Sequence, residues 1–390
     1  MKRLLLILSI AMLCGFLSAQ TMHRYNTNFT INQKNFVDTI SIEFENDQIY
    51  IPVRISGKTY RFNLDTGASQ GLIYYGSKVP VLQELGNVVS HDANNIADTI
   101  KVVRIEKFQM GKLSIDGYVA SVVKHRRGRE NFDGIIGFDL FNKGIAGKID
   151  VKNKQLILSD IEGFFKEEKG EILKYNLKWF VPYINISPFM RHMDKVLFDT
   201  GARQLYQMNK ESFLKHQYKS KQVNAQVEGK TIGNFTMGTN GVERQDEVYF
   251  LNLDRLKWND FAFQNVRTIT TQGASRIGGQ LLNYGSVVIN PSRKQLIFQS
   301  YNGKDSVNVS NKQFGVAFIE KEDQPVIGLI WQKSDAYKAG MRQGDVVLKI
   351  NHETINNFEK FRKFKFEEGK KYKFILKDTR GFNKEIIITR

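Results

Sequence analysis

The chain has 390 residues, 41% of them apolar and 25% charged, a balance that suits a folded globular protein and excludes a disordered or fibrous one. Its formal net charge is +17, with the basic residues spread over the whole length and a single Cys. Spread charge without a basic and aromatic recognition module argues against a nucleic-acid partner and points to acidic surfaces or substrates, while one Cys excludes a disulfide framework.

At the N-terminus, Lys2 and Arg3 precede an apolar stretch from Leu4 to Leu17, followed by Ser18-Ala19-Gln20. This is the layout of a secretory signal peptide over 1–19, cut after Ala19. The stretch falls short of the roughly 20 residues that cross a bilayer, which weighs against an uncleaved anchor. A lipid-modified Cys14 is the other alternative, but Leu13 stands where a small residue is wanted. Removal of the segment leaves a chain of charge +15 with no thiol. An exported chain without disulfides suits a bacterial periplasm, cell surface or secreted location. No later apolar run approaches membrane-spanning length, so no transmembrane span is expected in the mature chain.

Residues 20–47 read either as a short pro-segment or as structure, and the alternation from Phe36 to Phe44 favours a strand. Strand patterns then dominate: in Thr59–Leu64, Tyr60, Phe62 and Leu64 share one face. Ile51–Ser56 leads through a turn at Gly57-Lys58 into a strand that ends at Asp65-Thr66-Gly67-Ala68. Val181–Ile186 leads through a longer turn into Val196-Leu197-Phe198 and then Asp199-Thr200-Gly201-Ala202. Downstream of the first comes Gly134-Ile135-Ile136-Gly137, then Ile149-Asp150 and Lys154-Gln155-Leu156-Ile157. Downstream of the second comes Ile277-Gly278, then Ile289-Asn290 and Lys294-Gln295-Leu296-Ile297. The offset is 134 residues at the Asp motifs and 140 at the later strands, which is an internal duplication of one β unit. The stretch Ile161 to Lys178, rich in Glu and Lys, reads as the connection between the copies.

An Asp at the end of an apolar strand, followed by Thr-Gly, puts a carboxylate in a tight turn where the Gly admits close backbone approach. Two such turns could meet across a pseudo-two-fold axis. Neighbouring carboxylates cannot both ionise readily, so they share a proton and titrate as a pair. One can then activate a water while the other protonates a carbonyl oxygen.

These residues resemble the pepsin and retropepsin superfamily of aspartic peptidases over about residues 22–300. The resemblance implies a mainly β, bilobal fold with a duplicated β-barrel lobe, 20–162 and 163–300, and a polypeptide substrate hydrolysed without a cofactor or metal. It implies Asp65 and Asp199 as the catalytic dyad and Thr66 and Thr200 as braces between the loops. It also implies Gly67 and Gly201 within the loops, with Gly137 and Gly278 beneath them. Ala68 and Ala202 follow the retropepsin pattern rather than the Ser or Thr usual in pepsins. Loss of that hydroxyl removes a hydrogen bond that favours an ionised Asp, so a less acidic dyad is expected. A flap is implied as well: Ser90 to Val102, with Asp92–Asn95 at its tip, is the first-lobe candidate and Gly233 to Gly241 the second-lobe one.

Tyr301–Ser306 marks a further boundary by its turn chemistry, and from about 311 the chain reads strand, strand, short helix, strand, helix, strand, strand. Ala339-Gly340, Gly344-Asp345 and Ile350-Asn351 resemble the central segment of bacterial PDZ domains, although Asp335 and His352 stand where Pro and Gly are usual. The resemblance implies a PDZ α+β domain over 311–390 that takes a peptide or a protein C-terminus by strand addition. Its ligand loop and strand would be Phe314, Gly315, Val316, Ala317 and Phe318. Phe358, Phe361 and Phe364 at helical spacing read as core. The competing reading of the whole chain is a catalytically idle peptide-binding protein, against which both intact Asp residues stand.

Overall fold

The computed structural model describes residues 26–91, 96–123, 132–190, 192–218, 220–234, 243–309, 315–367 and 369–390. The signal-like segment with Cys14, the flap tip at 92–95, residues 235–241 and Phe314 lie outside the described residues. Among the described residues, no helix is long and apolar enough to cross a membrane.

The protein is mainly β because short alternating segments find partners along the chain. In the strand Gln48–Ile55, Ile51, Val53 and Ile55 are buried while Pro52 and Arg54 face solvent. It pairs antiparallel with Lys58–Leu64, Ile55 opposite Lys58. The turn residues are therefore Ser56 and Gly57, at φ +48° and +81°, as a two-residue hairpin turn requires. This places the turn one residue earlier than the sequence pattern suggests, since Lys58 already belongs to the second strand.

Strand Gly134–Ile136 lies beside Lys58–Leu64 in parallel and beside Gly71–Tyr74 antiparallel. The second copy repeats this: Arg276–Gly278 lies parallel to His192–Asp199 and antiparallel to Tyr206–Asn209. The two arrangements sit in separate sheets of eleven and nine strands. One more strand, Ser306–Asn308, joins the second of these beyond the Tyr301–Ser306 turn.

A third sheet of six strands is shared by both halves. At its centre Ala146–Asp150 pairs with Gly285–Asn290. Outward lie Gln155–Ser159 and Val37–Ser41 on one side, Gln295–Ser300 and Glu171–Lys174 on the other. Part of the Glu- and Lys-rich stretch read as a connection is thus an edge strand, the counterpart of Val37–Ser41. One continuous core runs through both halves, from Phe62 and Phe138 to Phe198, Trp258 and Phe298.

Residues 316–389 form a six-stranded sheet with helices Asp335–Lys338 and Phe358–Lys363. The element order follows the sequence pattern, with one short extra strand at Glu353–Thr354. Ser334 and Asn357 cap the two helices, accepting from the Tyr337 and Lys360 amides. This module has its own core, in which Phe358 and Phe361 are buried and Phe364 packs at the helix end. It meets the second copy through Ala317 and Leu329, which pack against Val248 and Ile269.

Candidate active site

Each Asp-Thr-Gly-Ala turn hangs from a strand in the middle of its sheet. The Asp65 amide donates to Ile136 O at 3.0 Å, continuing the parallel pairing past Leu64. Asp199 ends its strand opposite Gly278. The Gly67 amide donates to Asp65 Oδ1 at 2.9 Å, and the Gly201 and Ala202 amides both donate to Asp199 Oδ1 at 3.1 Å. The turns therefore grip their own carboxylates with backbone donors.

The two turns are tied to each other by four reciprocal bonds. Thr66 Oγ1 donates to Phe198 O at 2.7 Å and accepts from the Thr200 amide at 3.0 Å. Thr200 Oγ1 donates to Leu64 O at 2.6 Å and accepts from the Thr66 amide at 3.1 Å. Both threonines are fully buried, so each bond is protected from competition by water.

This crossing brings each glycine against the opposite carboxylate. A Cβ on Gly67 would stand 2.5 Å from Asp199 Cγ, and one on Gly201 would stand 2.5 Å from Asp65 Oδ1. Only a residue without a side chain admits that approach. Beneath the turns, a Cβ on Gly137 would stand 2.7 Å from Ala68 O, and one on Gly278 would stand 2.5 Å from Ala202 O. Gln48 adds a bond between the halves, its Nε2 donating to Gly201 O at 2.9 Å.

The result is two carboxyl groups in direct contact. Burial, then the negative charge of Asp199 and a hydrogen bond to it, push Asp65 up to about 8. Its Gly67 and Ala68 amide contacts pull the other way. Burial and the adjoining carboxylate therefore favour a proton kept on the pair. Such a pair can give a proton to one substrate atom and take one from a water.

Residues 51–140 match a family model described as aspartyl protease. The match spans Asp65 to Gly137 and supports an aspartyl protease; the second Asp-Thr-Gly-Ala lies beyond it. No curated protein matches the chain.

The other residues singled out from sequence fall as follows. Strands Val81–His91 and Ala97–Ile105 form a long antiparallel hairpin at the first-copy flap candidate. Gly233 ends a strand that packs on the C-terminal module, where a Cβ would stand 2.6 Å from Gly328 O. Gly315, at φ +68°, precedes the edge strand Val316–Lys321. Phe318 turns to the module's own helix, 4.6 Å from the Phe361 ring, whereas Ala317 turns to the second copy.

Three polar residues at the site escape the sequence reading. Asp139 is buried two residues past Gly137 and accepts from Tyr118 Oη at 3.0 Å and from the Gly71 amide at 3.3 Å. Burial pushes it up to about 7. Its counterpart two residues past Gly278 is Gln280, which accepts from the Leu205 amide at 2.9 Å. The third is Arg276, whose Nη1 lies 3.9 Å from Asp199 Oδ2. The only sequence signal for it is an Arg in the slot that Ile135 fills before Ile136-Gly137.

Proposed function

We propose that this chain is an exported aspartic endopeptidase whose single catalytic dyad is Asp65 and Asp199. The observation that carries the reading is the reciprocal Thr66–Thr200 brace, which holds two glycine-backed carboxyls against each other from equivalent points of a duplicated fold. A lone Asp-Thr-Gly turn needs no such partner.

In this reading a peptide lies across the two turns. One carboxylate takes a proton from a water as its oxygen attacks the carbonyl carbon, and the other carboxyl gives its proton to the carbonyl oxygen. The resulting tetrahedral species collapses with cleavage of the C–N bond as the nitrogen accepts a proton. Chain segments 20–162 and 163–300 serve as the two lobes. The segment 1–19 directs export to a periplasm or beyond, and 311–390 is a PDZ-like module that recruits a substrate or partner peptide.

Two features support the module's role. Val316–Lys321 pairs on one side only among the described strands, and strand addition needs such an edge. Gly315 has the left-handed backbone of a tight loop before it.

The test is digestion of a diverse peptide mixture by protein lacking residues 1–19, beside Asp65→Asn and Asp199→Asn variants, with products read by mass spectrometry. Cleavage by the parent and its loss in both variants is expected. Equal cleavage by all three would reject the dyad, and binding without cleavage would favour an idle peptide-binding protein.

A further inference from the structure

The two turns share the sequence Asp-Thr-Gly-Ala, and a departure beside the carboxyls is Arg276. It lies on the strand Arg276–Gly278, next to the strand that ends in Asp199. The equivalent residue of the first half is Ile135, on Gly134–Ile136 beside Asp65. We propose that Arg276 is a positioning residue that breaks the symmetry of the dyad. It holds the negative charge on Asp199 and leaves the shared proton on Asp65. This rests on the peptidase reading and assigns the two roles within it. Asp199 takes the proton from the attacking water, and Asp65 gives its proton to the carbonyl oxygen.

Arg276 is 5% exposed and Asp199 is 6% exposed. A guanidinium keeps its charge under all ordinary conditions, so a buried one needs an anion close by. Asp199 Oδ2 lies 3.9 Å from Nη1, too far for a tight hydrogen bond but well inside the range where a little-screened attraction acts. Arg276 Nε also donates to Ala274 O at 3.4 Å, which helps to anchor the side chain.

Across its two flanking strands Arg276 is opposite Leu197 and Gln207. Tyr183, from the strand Val181–Phe189, lies in the field of both Arg276 and Asp199, and burial raises its phenol, keeping it neutral. Asp65 is the carboxyl that adjoins Asp199. Its elevated value and its hydrogen bond to Asp199 agree with its being the protonated member.

The assignment is tested without relying on activity by thermal denaturation near pH 6. Asn imitates a protonated Asp, so Asp65→Asn should melt within about 2 °C of the parent, whereas Asp199→Asn removes the carboxylate charge beside a buried cation and should melt several degrees lower. In an Arg276→Met background the two Asn variants should cost alike. Equal melting of the single variants, or a larger loss in Asp65→Asn, would overturn the proposal.

A second readout uses catalysis. Removing the cation makes the dyad harder to ionise, so Arg276→Met should move the acid limb of kcat/KM upward by about one pH unit. Arg276→Lys should restore most of that shift, which a purely structural role would not require. An unmoved limb in a folded Arg276→Met protein would overturn the proposal. If the parent cleaves no peptide, the peptidase reading fails, while the melting comparison still decides where the charge sits.

Discussion

Lys148 and Val288 face each other across the central pair of the shared sheet. They are 140 residues apart, the same offset that separates Lys154-Gln155-Leu156-Ile157 from Lys294-Gln295-Leu296-Ile297. Each is therefore the other's image in the duplication, and the pseudo-two-fold axis passes between them. Gly147 opposite Ile289 and Ile149 opposite Val287 complete the symmetric register. The Thr66–Thr200 brace obeys the same exchange, so the sheet and the dyad are organised about one symmetry.

The brace gives the first prediction. Thr66→Val leaves Phe198 O and the Thr200 amide without their bonds, and Thr200→Val does the same to Leu64 O and the Thr66 amide. Each should cost about 1–3 kcal/mol, since buried polar groups lose their partners without regaining water. The double variant should cost less than the two losses added, because the bonds form one network. Urea denaturation of the four proteins checks this.

The glycines beneath the turns give the second. Gly137→Ala and Gly278→Ala each drive a Cβ to within 2.8 Å of a backbone carbonyl oxygen, so the carbonyl must move. Each should lose about 1–3 kcal/mol of stability through overpacking and more than about tenfold in kcat through displacement of the carboxyls. Gly57→Ala meets open space but keeps a φ of +81°, so it should cost about 1–2 kcal/mol through backbone strain with kcat unchanged. Melting curves and peptide kinetics on the three variants separate crowding from strain.

Asp139 gives the third. Its folded value of about 7 lies above the 3.8 of an unburied Asp, so the folded state binds the proton more tightly than the unfolded one. The contribution is fully present below about pH 4 and is lost as pH rises through about 7. Its size is up to about 4 kcal/mol. Asp139→Asn should flatten this part of the stability profile and gain on the parent as pH rises from 4 to 7. Stability differences that stay constant across that range would contradict it.

The dyad itself gives the fourth. If the chain is the peptidase proposed above, with Asp65 as the acid, kcat/KM should persist through neutral pH and fall as pH rises through about 8. This accords with Ala68 and Ala202 offering no hydroxyl to favour ionisation. A profile peaking below about pH 3, near the lower pepsin-type value, would go against it.

Much of this site is legible in sequence because the constraint is local. A turn that presents a carboxylate and lets another chain segment touch it requires Asp and Gly at fixed neighbouring places. Duplication then repeats that requirement at Asp199 and Gly201.

What escapes the reading depends on distant partners. Glu171–Lys174 passes for a connection because an edge strand needs little apolar character, and only its register with Gln295–Ser300 makes it structure. Tyr118 and Asp139 read as unrelated polar residues until the fold buries them together. Arg276 breaks an apolar pattern, but its meaning comes from Asp199 on the neighbouring strand. The one-residue shift of the first hairpin turn arises because Ser56 adopts the left-handed backbone that the pattern reserves for Gly and its follower.

A cleft built from two identical subunits must carry the same side chain on both banks. Here a single polypeptide supplies both turns, with Ile135 and Arg276, and Asp139 and Gln280, at equivalent places in its two halves. A single chain thus frees a two-fold arrangement to differ from one side to the other. A change at any of these four positions strikes once, and the inherited fate of one bank is independent of the other.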